Sequence, residues 1–204
     1  MIDPLPKYGD RRRIRVGLLG GSFNPAHAGH RHIAMLALRR LRLDQVWLLV
    51  SPGNPLKPPH DMAPFLQRIA GARRIADGRR VLATAIEAAW STRYTIDSLR
   101  LLRRRFPRVK FVWLMGADIL TQLPRWLHWR ELLRLVPVAV LPRPDYTRRA
   151  LAGQAARWLR HARRPQHAAS LLPGTAPGWV MLTAPQTAVS ATAIRAGRLQ
   201  GAMP

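Results

Sequence analysis

Residues 14–30 read IRVGLLGGSFNPAHAGH, and this stretch decides the fold. Its first seven residues form a short, almost continuous apolar run, the pattern of a strand covered on both faces. Gly20 and Gly21 close the run and Pro25 stiffens the turn. From about Gly29 to Leu41, Ile33, Leu36, Ala37 and Arg40 recur at helical spacing. Strand, loop and helix therefore follow one another, the opening of a βαβ unit.

The alternation continues outward. VWLLV at 46–50 is a second buried strand, and SPGNPLKPP after it is a rigid Pro/Gly-rich loop holding Lys57. A helix is predicted over 64–76, a strand over RVLATAIE at 80–87, and a helix over 95–105 with Ile96, Leu99 and Leu102 on one face. VKFVWLM at 109–115 is a strong strand, followed by a short helix near 119–123, the break LPRW, the helix WRELLRL, and the strand and stop VAVLPRP. Residues 147–170 are rich in Arg and Ala and read as helical, WVMLT at 179–183 as a last strand, and SATAIRAG at 190–197 as a helix capped at both ends. The predicted class is α/β: a Rossmann-like, doubly wound, mainly parallel sheet with helices on both faces, in a single domain. Residues 1–13, polar and basic, are expected to be a flexible leader before a domain over 14–204. On such a sheet, ligands bind beyond the carboxyl ends of the strands where strand order reverses, so the loops after the first, second and VKFVWLM strands are where chemistry is expected.

Composition narrows the function. At 204 residues and 48% hydrophobic, the chain can bury a real core. No window carries the uncharged apolar run of a membrane span, and the first residues do not read as a secretory signal, so a cytoplasmic location is expected. With no cysteine, thiolate nucleophiles and Cys-ligated metals are excluded. The net charge of +24 attracts polyanions of every kind. Lysine stands only at Lys7, Lys57 and Lys110, and the arginines lie along helices rather than in a tail. Without an RNA-module signature or aromatic–basic interleaving in the sequence, nucleic acid is disfavoured as a partner. The charge reads as an arginine-rich surface on a protein whose ligands are phosphates.

His27 and His30 stand three apart where the first helix begins. A helix N-terminus presents free N–H groups and a positive dipole end, and glycines let a phosphate approach the backbone. Two imidazoles there can add donors to a transferring phosphorus and a leaving pyrophosphate. Taken singly, the same residues also read as an ordinary turn, a surface pair or half a metal site. His32, His60 and His128 stand in no ligand spacing with them. A dinucleotide site is disfavoured, because Gly17, Gly20 and Gly21 do not make G-x-G-x-x-G.

Taken whole, GGSFNPAHAGH resembles the signature of the HxGH nucleotidyltransferase superfamily, and VSATAIR near the end resembles its second element. Within that superfamily the chain is most similar to the bacterial nicotinate-nucleotide adenylyltransferases, through RYTIDSLR at 93–100, MGADILTQLPRW at 115–126 and SPGNPLKP. The resemblance implies transfer of the adenylyl group of ATP to nicotinate mononucleotide, giving nicotinate adenine dinucleotide and pyrophosphate, in NAD biosynthesis. It implies catalytic roles for His27, His30 and Arg195. ATP would be bound by Gly20, Gly21, Ser22, Phe23, His27, His30, Gly116, Asp118, Ser190, Thr192 and Arg195. The mononucleotide would be bound by Lys57, Tyr94, Thr95, Trp126 and Leu127, with Trp126 stacked on the pyridine ring. Mg²⁺ is expected to bind mainly through the ATP phosphates, without a dedicated protein site. Asn24 stands where many members carry aspartate, and Glu87 replaces a more acidic run. The alternatives are a sister HxGH transferase acting on nicotinamide mononucleotide or phosphopantetheine, or a basic nucleic-acid-binding protein.

Overall fold

The computed structural model describes residues 3–53, 62–143 and 146–183, together with Ile194 and Gly197. Seven strands form one parallel sheet: β1 (Arg15–Gly21), β2 (Gln45–Val50), β3 (Val81–Thr84), β4 (Lys110–Gly116), β5 (Val138–Leu141), β6 (Arg163–Arg164) and β7 (Trp179–Met181), in the order β3-β2-β1-β4-β5-β7-β6. β1 lies at the centre, with Val16 to Gly21 in register with Gln45 to Val50 on one side and Arg15 to Leu19 with Lys110 to Leu114 on the other. The described helices are α1 (Ala28–Arg40), α2 (Phe65–Ile75), α3 (Ile86–Ala89), α4 (Thr95–Arg105), α5 (Ala117–Gln122), α6 (Trp129–Leu135), α7 (Thr147–Ala152) and α8 (Gln154–Trp158).

Strand side chains alternate between faces, so a sheet covered on both sides needs apolar residues at nearly every position. The core divides accordingly. Leu18, Trp47, Leu49 and Trp113 pack with Ile96, Leu99 and Leu102 of α4 and with Leu132 and Leu133 of α6. Leu19, Leu48, Val50 and Leu114 face Ala34, Ala37 and Leu38 of α1 and Ile69 and Ala72 of α2. The doubly wound parallel sheet read from the sequence is the observed architecture.

Three segments differ from expectation. The strand at 80–87 stops at Thr84, because Thr84 Oγ1 accepts from the Ile86 amide and turns the chain into α3. Residues 147–170 do not form one helix: Gly153 adopts an extended backbone between α7 and α8, and Pro165 follows the short strand β6. Residues 3–13, expected to be loose, are held: Asp3 accepts from Thr84 Oγ1 (2.7 Å) and the Ala85 amide (2.6 Å), Leu5 is buried in the core, and Trp90 Nε1 donates to the Lys7 carbonyl. The capped helix predicted over 190–197 lies outside the described residues apart from Ile194 and Gly197.

Candidate active site

Strand order reverses between β1 and β4, the site at which a parallel sheet opens a crevice at its carboxyl edge. Gly21 ends β1 and Gly116 ends β4, so the turns carrying His27 and Asp118 flank that crevice.

The two histidines build the start of α1. His27 is its N-cap, in extended backbone, and its Nδ1 accepts from the Gly29 amide at 3.1 Å. His30 reaches back, its Nδ1 accepting from the His27 amide at 3.2 Å. The rings lie 3.9 Å apart between centroids. An imidazole whose Nδ1 accepts carries its proton on Nε2, so this reciprocal cap fixes one tautomer for both rings. Desolvation first, then the charge of Arg143, lowers the His27 pKa to about 4. Desolvation, the neighbouring His27 and Arg143 lower that of His30 to about 3. At neutral pH the site therefore holds two uncharged imidazoles, each with an Nε2–H donor not engaged by the cap. They sit at the end of a helix whose dipole already favours an anion.

Phe23 supports the pair. It is a non-glycine residue with φ of +48°, a backbone region that costs an L-residue roughly 1–2 kcal/mol. Its ring is 2% exposed and lies 4.8 Å from that of His30, so burial holds the residue in this conformation. Asn24, also buried, accepts from the Ala63 amide and links this turn to the start of α2. Arg68 of α2 completes the frame. It is 3% exposed and donates to four carbonyls, those of Ser22 (2.7 Å), Ser51 (2.7 Å), Pro52 (2.9 Å) and Ala63 (3.0 Å). One planar guanidinium thus ties the loop after β1 to the loop after β2. Burial lowers its pKa.

At the β4 side, Asp118 in the first turn of α5 has a buried Oδ1 without a hydrogen-bond partner among the described residues, 3.8 Å from Arg143 Nε. A Cβ at Gly116 would sit 2.2 Å from Asp118 Oδ1 and tightly, at 3.2 Å, against Arg143 Nε, so a larger residue there would displace the Asp118 carboxylate. Packing also requires Gly20 to be small. A methyl on it would sit 2.6 Å from Trp113 Cη2, so it makes room for an indole of the neighbouring strand. Among the described residues no cluster of three or more His, Asp or Glu side chains is placed to hold a metal.

Comparison with known proteins agrees with this geometry. The cytidylyltransferase-like family pattern matches residues 18–197. A relative from Gluconobacter oxydans, named "Probable nicotinate-nucleotide adenylyltransferase", is 59% identical over 89% of this chain and 94% of its own. One of the same name from Gluconacetobacter diazotrophicus is 56% identical over 98% of this chain and 93% of its own. The chain belongs to the nicotinate-nucleotide adenylyltransferase branch of the cytidylyltransferase-like family. Its fold is also that of the Plasmodium falciparum nicotinic acid mononucleotide adenylyltransferase complexed with NaAD, at a TM-score of 0.67 and 14% identity, over 89% of this chain and 82% of that one.

Within this nucleotidyltransferase, the residues expected to face the mononucleotide stand on two elements packed against each other, α4 and α6 with its preceding turn. Tyr94 precedes α4, 36% exposed, with the Arg93 guanidinium over its ring, and Thr95 opens the helix half-buried. Trp126 is half-buried and meets Trp113 edge-on, ring centroids 6.4 Å apart, while Leu127 is exposed. Trp113 thus touches both the Gly20 position and Trp126, joining the end of β1 to the turn before α6 through one buried indole. Arg100 of α4 forks onto Glu131 of α6 with bonds of 2.7–3.0 Å. Lys57, Ser190, Thr192 and Arg195 lie outside the described residues.

Two residues of the site were missed in the sequence. Arg143 follows β5 at the carboxyl edge, and that position was the available signal; VAVLPRP read only as a strand and its stop. Arg68 gave no signal, since one arginine among many on a helix becomes distinctive only through burial.

Proposed function

We propose that this enzyme transfers the adenylyl group of ATP to nicotinate mononucleotide, releasing pyrophosphate. The observation that carries the reading is the reciprocal His27–His30 cap at the strand-order reversal, a preformed pair of neutral donors where a triphosphate would lie. A 5′-phosphate oxygen of the mononucleotide attacks the α-phosphorus of ATP. The bond from that phosphorus to the bridging oxygen breaks, and pyrophosphate leaves with the electron pair. The nucleophile is already anionic, so the reaction needs alignment and charge stabilisation more than a general base. With pKa values near 4 and 3, His27 and His30 act at neutral pH as Nε2–H hydrogen-bond donors to phosphate oxygens, not as imidazolium cations. Arg143 supplies positive charge beside them, with Arg195 assigned to the β and γ phosphates.

On the acceptor side, Trp126 stacks on the pyridine ring and Tyr94, Thr95, Leu127 and Lys57 complete the mononucleotide site. Gly20, Gly21, Ser22, Phe23, Gly116, Asp118, Ser190 and Thr192 line the ATP side. Magnesium would fit as a companion of the triphosphate, held mainly through phosphate oxygens and water. It would neutralise triphosphate charge there and needs no cage of protein ligands.

The test is an acceptor screen of purified protein with ATP or CTP against nicotinate mononucleotide, nicotinamide mononucleotide and phosphopantetheine, reading pyrophosphate. Turnover should be highest with ATP and nicotinate mononucleotide. A higher kcat/KM for phosphopantetheine, or for CTP over ATP, overturns the assignment.

A further inference from the structure

The fold sorts charge in a way the sequence does not display. All strands run parallel, so strand N-termini and the C-termini of the returning helices share one edge, opposite the candidate active site. At that edge α1 ends on Arg39 and Arg40 and α4 on Arg103, Arg104 and Arg105. Between the first residues of β1 and β4 lies an open cavity of about 470 Å³ lined by Arg13, Ile14, Arg15, Asp44, Arg108 and Lys110. Four cations meet one carboxylate there, and Asp44 already accepts from the Arg15 amide at 2.7 Å. None of the four cationic side chains has an ion pair among the described residues.

Helix dipoles favour cations in a last turn, and that accounts for one arginine per helix. It does not account for the cluster at the strand ends, where like charges around a concave wall repel one another and focus a positive field outward. The ligand that balances such a site is polyanionic. It is not the triphosphate of the reaction, because β1 spans seven residues, roughly 20 Å, between this cavity and the histidine turn. At the end of α4, three residues before Arg108, the Arg105 guanidinium lies 5.5 Å from the ring centroid of Tyr8, which is 77% exposed. The aromatic–basic pairing absent from the linear sequence is thus created by packing the first residues on the end of α4. A lipid surface would need a patch of apolar side chains to insert, but of the large exposed ones among the described residues Leu66, Tyr94, Leu127 and Tyr146 belong to the opposite edge, which leaves Leu171 as a single leucine besides Tyr8.

We propose that this edge binds single-stranded nucleic acid, with backbone phosphates in the Arg13/Arg15/Arg108/Lys110 cavity and a base stacked on Tyr8. Arginine suits the task through its planar fork, and an aromatic beside a cationic groove accepts any base. The experiment is fluorescence anisotropy of the full chain with a labelled 12-nucleotide single-stranded RNA from 50 to 300 mM KCl. Saturable one-to-one binding is expected, with log affinity falling against log salt at a slope of about −3, as four neutralised phosphates give. The R13E/R108E/K110E variant should weaken binding at least about ten-fold at 100 mM KCl. Tyr8→Ala should weaken it roughly five-fold or more with little change of slope. R148E/R149E/R157E, an equal charge change on α7 and α8, should stay within about three-fold. Pyrophosphate release and the thermal midpoint should be unchanged in the cavity variant, which separates loss of binding from loss of fold. Equal weakening by the two charge variants, displacement of the RNA by ATP, absence of binding at 50 mM KCl, or binding to phosphatidylglycerol vesicles in place of RNA would each overturn the proposal.

Discussion

Replacing Arg68 by Met removes a buried guanidinium and keeps the length of its stem. Four carbonyls in the loops after β1 and β2 lose charge-assisted hydrogen bonds of 2.7–3.0 Å. A buried carbonyl left without a donor costs about 1–3 kcal/mol. Two effects pull the sum down. Ser22, Ser51, Pro52 and Ala63 retain some exposure, so water can reach part of what the arginine leaves. The variant also escapes the desolvation of a buried charge, a cost of several kcal/mol. The net expected loss is about 2–4 kcal/mol, which in a domain of this size lowers the thermal midpoint by roughly 4–16 °C. Function should suffer beyond stability, because Ser22 lies one residue from Phe23 and five from His27. Pyrophosphate release measured well below the midpoint should fall at least about ten-fold. Arg68→Lys should not rescue it, since an ammonium lacks the planar fork that reaches four oxygens. Differential scanning fluorimetry, urea denaturation and a coupled pyrophosphate assay check each step. A midpoint within about 2 °C of the native one with full turnover, or complete rescue by lysine, would refute the reasoning.

Three further outcomes follow from the site. His30→Ala should cut turnover by about two to three orders of magnitude, as loss of a positioned donor does; retained near-normal pyrophosphate release sinks the role. Trp126→Ala should raise KM for the mononucleotide several-fold more than KM for ATP; equal rises count against stacking. The depressed pKa values of His27 and His30 lie below the ordinary 6.5, so the unfolded chain binds more protons in the interval between. Their contribution to stability is complete above about pH 6.5 and is lost as pH falls toward 4 and 3, with a slope of at most about 1.4 kcal/mol per pH unit for each histidine. Burial raises the Glu87 pKa, which acts in the opposite direction, so the slope is read as a difference between native protein and H27Q/H30Q. Equal slopes between pH 4 and 6.5 would show that the imidazoles are not buried neutral.

The strand–loop–helix order, the parallel sheet and the histidine turn were all legible in the sequence. Periodicity records burial directly: continuous apolar runs mark strands covered twice, and the GGSFNPAHAGH spacing places both imidazoles in one helical turn. Local exceptions were less visible. Thr84 ends a strand through a hydrogen bond formed inside its own turn, and a φ of +48° at Phe23 depends on a pocket built by residues distant in sequence.

What only the tertiary structure decided is what depends on distance between segments far apart in the chain. Packing makes Arg68 a buried clamp and sets Arg143 beside the histidines. It gives Gly20 to an indole of the next strand, and it turns dispersed arginines into a charged edge bearing Tyr8. The sequence determines which residues must be buried and where each element starts. Which polar groups then meet is fixed by strand order and crossover direction, because those alone decide which ends of the elements come together.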